Sequence, residues 1–118
     1  MKYMLMIYAN QQTWAGLSKE DWAKAIAAQD AFNRKFFDTG ELLGAYGLGD
    51  SAEAKVVRVN GGVPAVTDGP YLEAKEFLAS YYLLECDSEQ RALQIAAEMP
   101  YASFKGVEVW PVRHEGQR

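Results

Sequence analysis

Phe77-Leu78-Ala79-Ser80-Tyr81-Tyr82-Leu83-Leu84-Glu85-Cys86 is the stretch on which the fold turns. Its length and its aromatic and aliphatic content read as a long strand. By strict alternation, Phe77, Ala79, Tyr81 and Leu83 fall on one side and Leu78, Ser80, Tyr82 and Leu84 on the other. Both sides are largely apolar. A strand of that kind implies a sheet covered on both faces.

Outward from this strand, the order is βαβ, a hairpin insertion, then βαβ. Lys2–Tyr8 reads as the first strand, followed by a polar loop. Ser18 is placed to cap a helix, with Asp21 at the acidic position of a capping box. Trp22, Ala25, Ile26, Phe32, Phe36 and Phe37 recur at helical spacing, and Gly40 supplies the left-handed stop. Glu41–Leu48 is a second strand. Ala54–Val59 and Val63–Thr67 flank Asn60-Gly61-Gly62, a hairpin signal. After the long strand, Asp87 or Ser88 caps a helix carrying Ala92, Ile95, Ala96 and Met99, which Pro100 stops. Val107–Val112 is the last strand, edge-tolerant because of Pro111.

The order predicts an α+β, ferredoxin-like split βαβ with an inserted β-hairpin and an antiparallel sheet. Right-handed crossovers put both helices on one face. The other face of the long strand then needs cover from a partner subunit or a bound ligand, and a homodimer is expected.

With 118 residues, one domain spanning 1–118 is expected, large enough for a core without disulfides or metals. Net charge is −4, and the basic residues are scattered, so no nucleic acid partner is expected. The single cysteine, Cys86, fits a reducing compartment. Met4-Leu5-Met6-Ile7 is too short for a secretory or membrane-spanning segment, so a cytoplasmic protein with no membrane role is expected.

Asp68 is the candidate catalytic acid or base; Asp68-Gly69-Pro70 reads equally as turn chemistry. Pro70 stiffens that loop and Gly69 permits a close backbone approach, which places both, with Tyr71, among the ligand-binding candidates. Arg58 either holds a ligand carboxylate, pairs with Asp68 or Glu73, or faces water. Glu73, Lys75 and Glu76 read as a solvated charge run. Gln29 and Asn33 fall within the apolar arc of the first helix and are either hydrogen-bonded core amides or groups facing a wet cleft. Tyr81, Tyr82 and Trp110 read as core or interface. His114 is the only histidine, so neither a Ser-His-Asp triad nor a soft-metal ligand set can be assembled; no metal and no cofactor are expected.

The segment Thr67-Asp68-Gly69-Pro70-Tyr71-Leu72-Glu73-Ala74-Lys75-Glu76, followed by Tyr81-Tyr82-Leu83, resembles the signature of the DGPF group within the YciI-related family. Met1-Lys2-Tyr3-Met4, Val57-Arg58-Val59, Met99-Pro100-Tyr101 and Val107-Glu108-Val109 extend the resemblance over the chain. It implies a dimeric ferredoxin-like α+β barrel, from a superfamily that includes small lyases, isomerases and monooxygenases of aromatic or lactone substrates. The histidine that YciI-like enzymes are thought to use on the first helix has no counterpart here; Gln29 lies about where it would fall. Two functions follow as expectations. One is a cofactor-free lyase or isomerase, or a binder, acting on a small aromatic or acidic ligand in a cleft near Asp68. The alternative is a non-catalytic dimer working through a protein partner, implied by the group's frequent gene neighbourhood with alternative sigma factors.

Overall fold

The computed structural model describes residues 1–70 and 75–118. In chain order its elements are β1 (Lys2–Ala9), α1 (Gln11–Ala15), α2 (Lys19–Thr39), β2 (Leu42–Gly47), β3 (Lys55–Asn60), β4 (Val63–Asp68), β5 (Phe77–Glu85), α3 (Glu89–Ala97) and β6 (Glu108–Pro111). Four strands make one antiparallel sheet in the order β2-β5-β1-β6. That is the split βαβ arrangement, with β3–β4 inserted as a separate two-stranded sheet.

Local chemistry sets the boundaries. The Ser18 hydroxyl accepts from the Asp21 N–H at 3.0 Å and starts α2. Gly40, at φ +83°, ends it. Of the two caps expected for α3, Ser88 does the work, accepting from the Arg91 N–H at 3.1 Å. Pro100 opens a 3-10 turn beyond the end of α3. Gly61 and Gly62, both with positive φ, form the two-residue hairpin turn.

The polar loop expected after β1 contains a helix instead. Asn10 and Thr13 exchange reciprocal side-chain and backbone hydrogen bonds of 3.0 and 3.1 Å, which cap α1. The helix is held by Trp14, whose ring lies 5.5 Å from that of Trp22 and 5.9 Å from that of Tyr101.

The core lies on one face of the sheet. Tyr3, Leu5 and Ile7 of β1 join Leu42, Tyr82 and Leu84, and meet Phe32 and Phe36 of α2 and Ala92, Ile95 and Ala96 of α3. Both long helices therefore cover the same face. Phe36, Leu5, Leu84, Ile95 and Met99 are fully buried.

Strict alternation fails at one place in β5. Ile7 pairs with Ser80, but the next residue, Tyr8, pairs with Leu78. The bulge at Ala79 shifts the phase, because cross-strand partners share a face. Leu78 thereby joins Tyr81 and Leu83 on the side away from the helices. Met4, Met6 and Tyr8 stand opposite these three, with Trp110 beside Met4 and Tyr46 beside Tyr81. Tyr46 and Trp110 are about half exposed. This second face is apolar, and neither long helix covers it.

Surface and shape reflect that. The chain exposes 8496 Å², where a folded monomer of 13.2 kDa exposes about 6400 Å². Its radius of gyration is 16.5 Å, against about 13.5 Å for a chain of this length.

One ion pair fastens the sheet to α3. Arg91 donates to both carboxylate oxygens of Glu41, at 2.7 and 2.8 Å. Those bonds hold the Glu41 carboxyl below its ordinary 4.5, against the opposing effect of burial. A carboxyl depressed on folding stabilises the protein above its unfolded value and loses that contribution as pH falls through the folded one. Denaturant unfolding should find wild type more stable than Glu41→Gln at neutral pH, and the two converging in acid. An unchanged gap in acid would refute the assignment.

Candidate functional site

The N-terminal half of α2 stands off the sheet. Trp22 and Ile26, expected in the core, are 43% and 46% exposed, because they wall a cavity of about 310 Å³. Trp22, Ala25, Ile26 and Gln29 form its roof, and Ile7, Ala79, Ser80 and Tyr82 its floor. Trp14, Leu48, Pro100 and Tyr101 close the sides. The Ala79 bulge lies in the floor; bulges commonly re-aim side chains beside functional sites.

A second hollow of about 430 Å³ adjoins it, sharing Trp14, Leu48 and Ala79. Its other walls are more polar and include Asn10, Gln11, Asp50 and Ser51. Gln11 Nε2 donates to Asp50 Oδ2 at 2.6 Å, and Asn10 Nδ2 donates to the Lys75 carbonyl at 2.8 Å. The adjoining hollow thus contains a carboxylate, whereas among the described residues no lining side chain of the inner cavity is charged at neutral pH.

The inner cavity's polar groups are neutral. Tyr82 Oη donates to Ser80 Oγ at 3.3 Å. Gln29 Nε2 donates to Asn33 Oδ1 at 2.9 Å, which leaves the Gln29 carbonyl oxygen for another donor. Gln29 and Tyr82 also border an outer depression with Asn33 and Tyr46. The Tyr101 hydroxyl is spent on the Tyr8 carbonyl at 2.8 Å. Burial pushes the Tyr82 phenol up from its ordinary 10.0, opposed by the Ser80 bond. Burial, aided by the Glu76 charge, does the same to Tyr101. Both stay protonated at neutral pH and can donate. Cys86, buried and with its thiol pushed up chiefly by burial, lines neither cavity.

The sequence candidates divide into two groups. Gln29 and Asn33 are half-buried and bonded to each other, Gln29 lining the cleft and Asn33 the outer depression beside it. Asp68, Arg58 and Gly69 belong to the hairpin and its base. Asp68 ends β4 with its side chain 87% exposed and paired with Lys55 Nζ at 2.5 Å; in the single chain it lines neither cavity. Arg58 is exposed in mid-β3, opposite Ala65. Gly69, at φ +84°, donates its N–H to the Ala54 carbonyl at 2.8 Å and closes the hairpin base. Pro70 is half-buried. Tyr71 and Glu73 lie outside the described residues. Trp14, Ser80 and Asp50 were not singled out from sequence, although Asn10 and Thr13 at capping spacing were a readable sign of the helix that carries Trp14.

Among the described residues, no three His, Cys, Asp or Glu side chains gather so as to hold a metal ion. No helix there is long and apolar enough to cross a membrane.

Replacing Tyr82 by Phe should remove one phenolate that forms above the ordinary value of 10.0, and change stability by no more than about 1.5 kcal/mol, the worth of one hydrogen bond. Ultraviolet titration of tyrosinate in both proteins checks this. An unaltered late-titrating amplitude would contradict the buried, protonated Tyr82.

Comparisons place this geometry in a family. The fold is similar to that of 5-chloro-2-hydroxyhydroquinone dehydrochlorinase (TftG) from Burkholderia phenoliruptrix AC1100, solved in complex with 2,5-dihydroxybenzoquinone. The TM-score is 0.55 at 10% identity, over 98% of this chain and 96% of that one. An uncharacterised protein of Rhizobium meliloti strain 1021 is 30% identical over 103 residues, which is 87% of this chain and 83% of the relative. The model of the YCII-related domain matches residues 1–115, and the chain belongs to the YCII-related family.

Proposed function

We propose that the chain binds a small, uncharged aromatic molecule in the tryptophan-walled cleft and acts on it, without a cofactor, as a homodimer. One observation carries the ligand class: the inner cavity has aromatic walls, neutral hydrogen-bonding groups and, among the described residues, no charged lining side chain. A buried anion there would lack a cation to compensate its lost hydration. A planar ring offers Trp14 and Trp22 the apolar and edge contacts that aromatic side chains favour. Hydroxyl or carbonyl substituents would meet Tyr82, Ser80 and Gln29. The fold neighbour's named substrate is a hydroxylated benzene ring and its bound quinone a planar six-carbon ring, which supports a planar ring as the ligand.

Isomerisation or elimination needs a proton acceptor. Asp50 is the carboxylate lining the adjoining hollow, within a network that Gln11 holds in place, and it is assigned that role. Asp68 could take part only in a cleft completed by a second copy. The regulatory reading gives the cleft no task. Pairing of copies through the open sheet face supplies the cover that Met4, Tyr81, Leu83 and Trp110 lack, and it accounts for part of the excess surface.

Tryptophan fluorescence tests the ligand class. Hydroquinone should quench saturably, and benzoate should bind at least about tenfold more weakly, a difference of 1.4 kcal/mol. Gln29→Leu should weaken hydroquinone binding. Tighter binding of benzoate would overturn the assignment. Light scattering should give twice the chain mass; a monomer at every concentration would remove the dimer. Once a turned-over substrate is found, Asp50→Asn should keep binding and lower the rate by about two to four orders of magnitude, the scale of a lost general base.

A further inference from the structure

The β3–β4 hairpin shares no ladder with the four-stranded sheet. Val57 stands opposite Val66 and Val59 opposite Pro64, so one side of it is a continuous apolar strip. Val57, Val59 and Val66 are each 63% exposed. At the base of the same side, Lys55 and Asp68 neutralise one another. A two-stranded ribbon is marginal in water unless something packs on it, and this one turns its β-branched face to solvent.

We propose that the hairpin is an arm that lays this valine strip on a second copy of the chain. The inference rests on the dimer proposed above and adds a second, separate contact to it. Area is the reason. Four strands about 4.8 Å apart, with about six residues each at 3.3 Å, make a plane of about 400 Å². Side-chain relief enlarges that figure, but the chain exposes about 2000 Å² more than a monomer of its mass. A stable interface needs about 800 Å² from each partner. Taken flat, the open sheet face is about a fifth of that excess, which leaves room for a second apolar contact. The hairpin is a further uncovered apolar surface, and strands of six residues reach about 20 Å, enough to pass the edge of one body onto another. A projecting arm also accounts for a radius of gyration of 16.5 Å. Two-fold symmetry then gives each copy one arm to extend and one to receive. The strip carries no net charge to repel its own duplicate.

Val57→Lys with Val66→Glu tests the arm. The new charges face each other across the ladder and support the hairpin, while the apolar strip is lost. Sedimentation velocity over a concentration series should show the dimer dissociation constant raised at least about thirtyfold, the loss expected from one interface hot spot. Far-ultraviolet circular dichroism should be unchanged, because the four-stranded sheet and its helices are elsewhere. Hydrogen exchange on the wild type provides a measurement free of substitutions: amides of residues 55–68 should slow as dimer replaces monomer. A wild-type dimer that the double variant leaves intact, or whose hairpin amides exchange equally fast at all concentrations, overturns the arm and leaves the dimer standing. A wild-type monomer throughout overturns both.

Discussion

The antiparallel pairing of β1 with β5 is the constraint on which the rest depends. It joins residues 2–9 to residues 77–85, strands separated by most of the sequence. The remaining strands attach to one or the other: β2 to β5, and β6 to β1. The helices have one choice of position once this pair exists, because right-handed crossovers bring both to the same side. The pair also fixes where apolar side chains go. Tyr3, Leu5 and Ile7 point into the helix layer, and Met4, Met6 and Tyr8 must point away from it.

That division makes the two faces do different jobs. The helix face closes over Phe36, Ile95 and Met99 at one end. At the other end, α2 stays clear of the sheet, and the gap becomes a cleft. Trp14 and Trp22 meet edge to face across that gap, so the cavity is bounded by a stabilising contact and not by loose packing. Among the described residues, no helix packs on the opposite face. A protein with an apolar side left open in this way is under pressure to find a surface of similar character, and a second copy of itself is always present at matching concentration.

Much of the architecture was legible in the residues. Ser18 and Gly40 marked α2 within a residue of its observed ends, and Asn60-Gly61-Gly62 gave the hairpin its turn. These signals are local: a cap or a positive φ depends on a few adjacent atoms. Gln29 and Asn33 were legible for a related reason, since two amides inside an apolar arc need partners, and they found each other. What was not legible depends on contacts distant in sequence. The Ala79 bulge exists only relative to Ile7 and Tyr8, so nothing within β5 announces it. Trp22 and Ile26 have the spacing of core residues, and only the position of the sheet shows that they line a cavity. Asp68 sits in a distinctive turn, yet the turn belongs to a hairpin whose base it closes with Lys55. Local sequence could place the residue in a loop without saying which way the loop faces.

The Ala79 bulge also acts as a frame-shift within the sheet. With strict pairing, every second residue of β5 would face the helices, and Leu78 would point into the space that is now the cleft. One extra residue turns it outward, leaving Ala79 and Ser80 as the floor. The volume of the site is therefore set by a count of residues as much as by side-chain size. Deleting Ala79 would regularise the ladder with Ser80 still opposite Ile7 and Leu78 still opposite Tyr8, so the facing of every other residue would survive and only the kink in the floor would go. The bulge thus acts as a tolerance in the sheet: one residue can be carried or dropped at this point of the floor while the pairings on either side of it keep their partners.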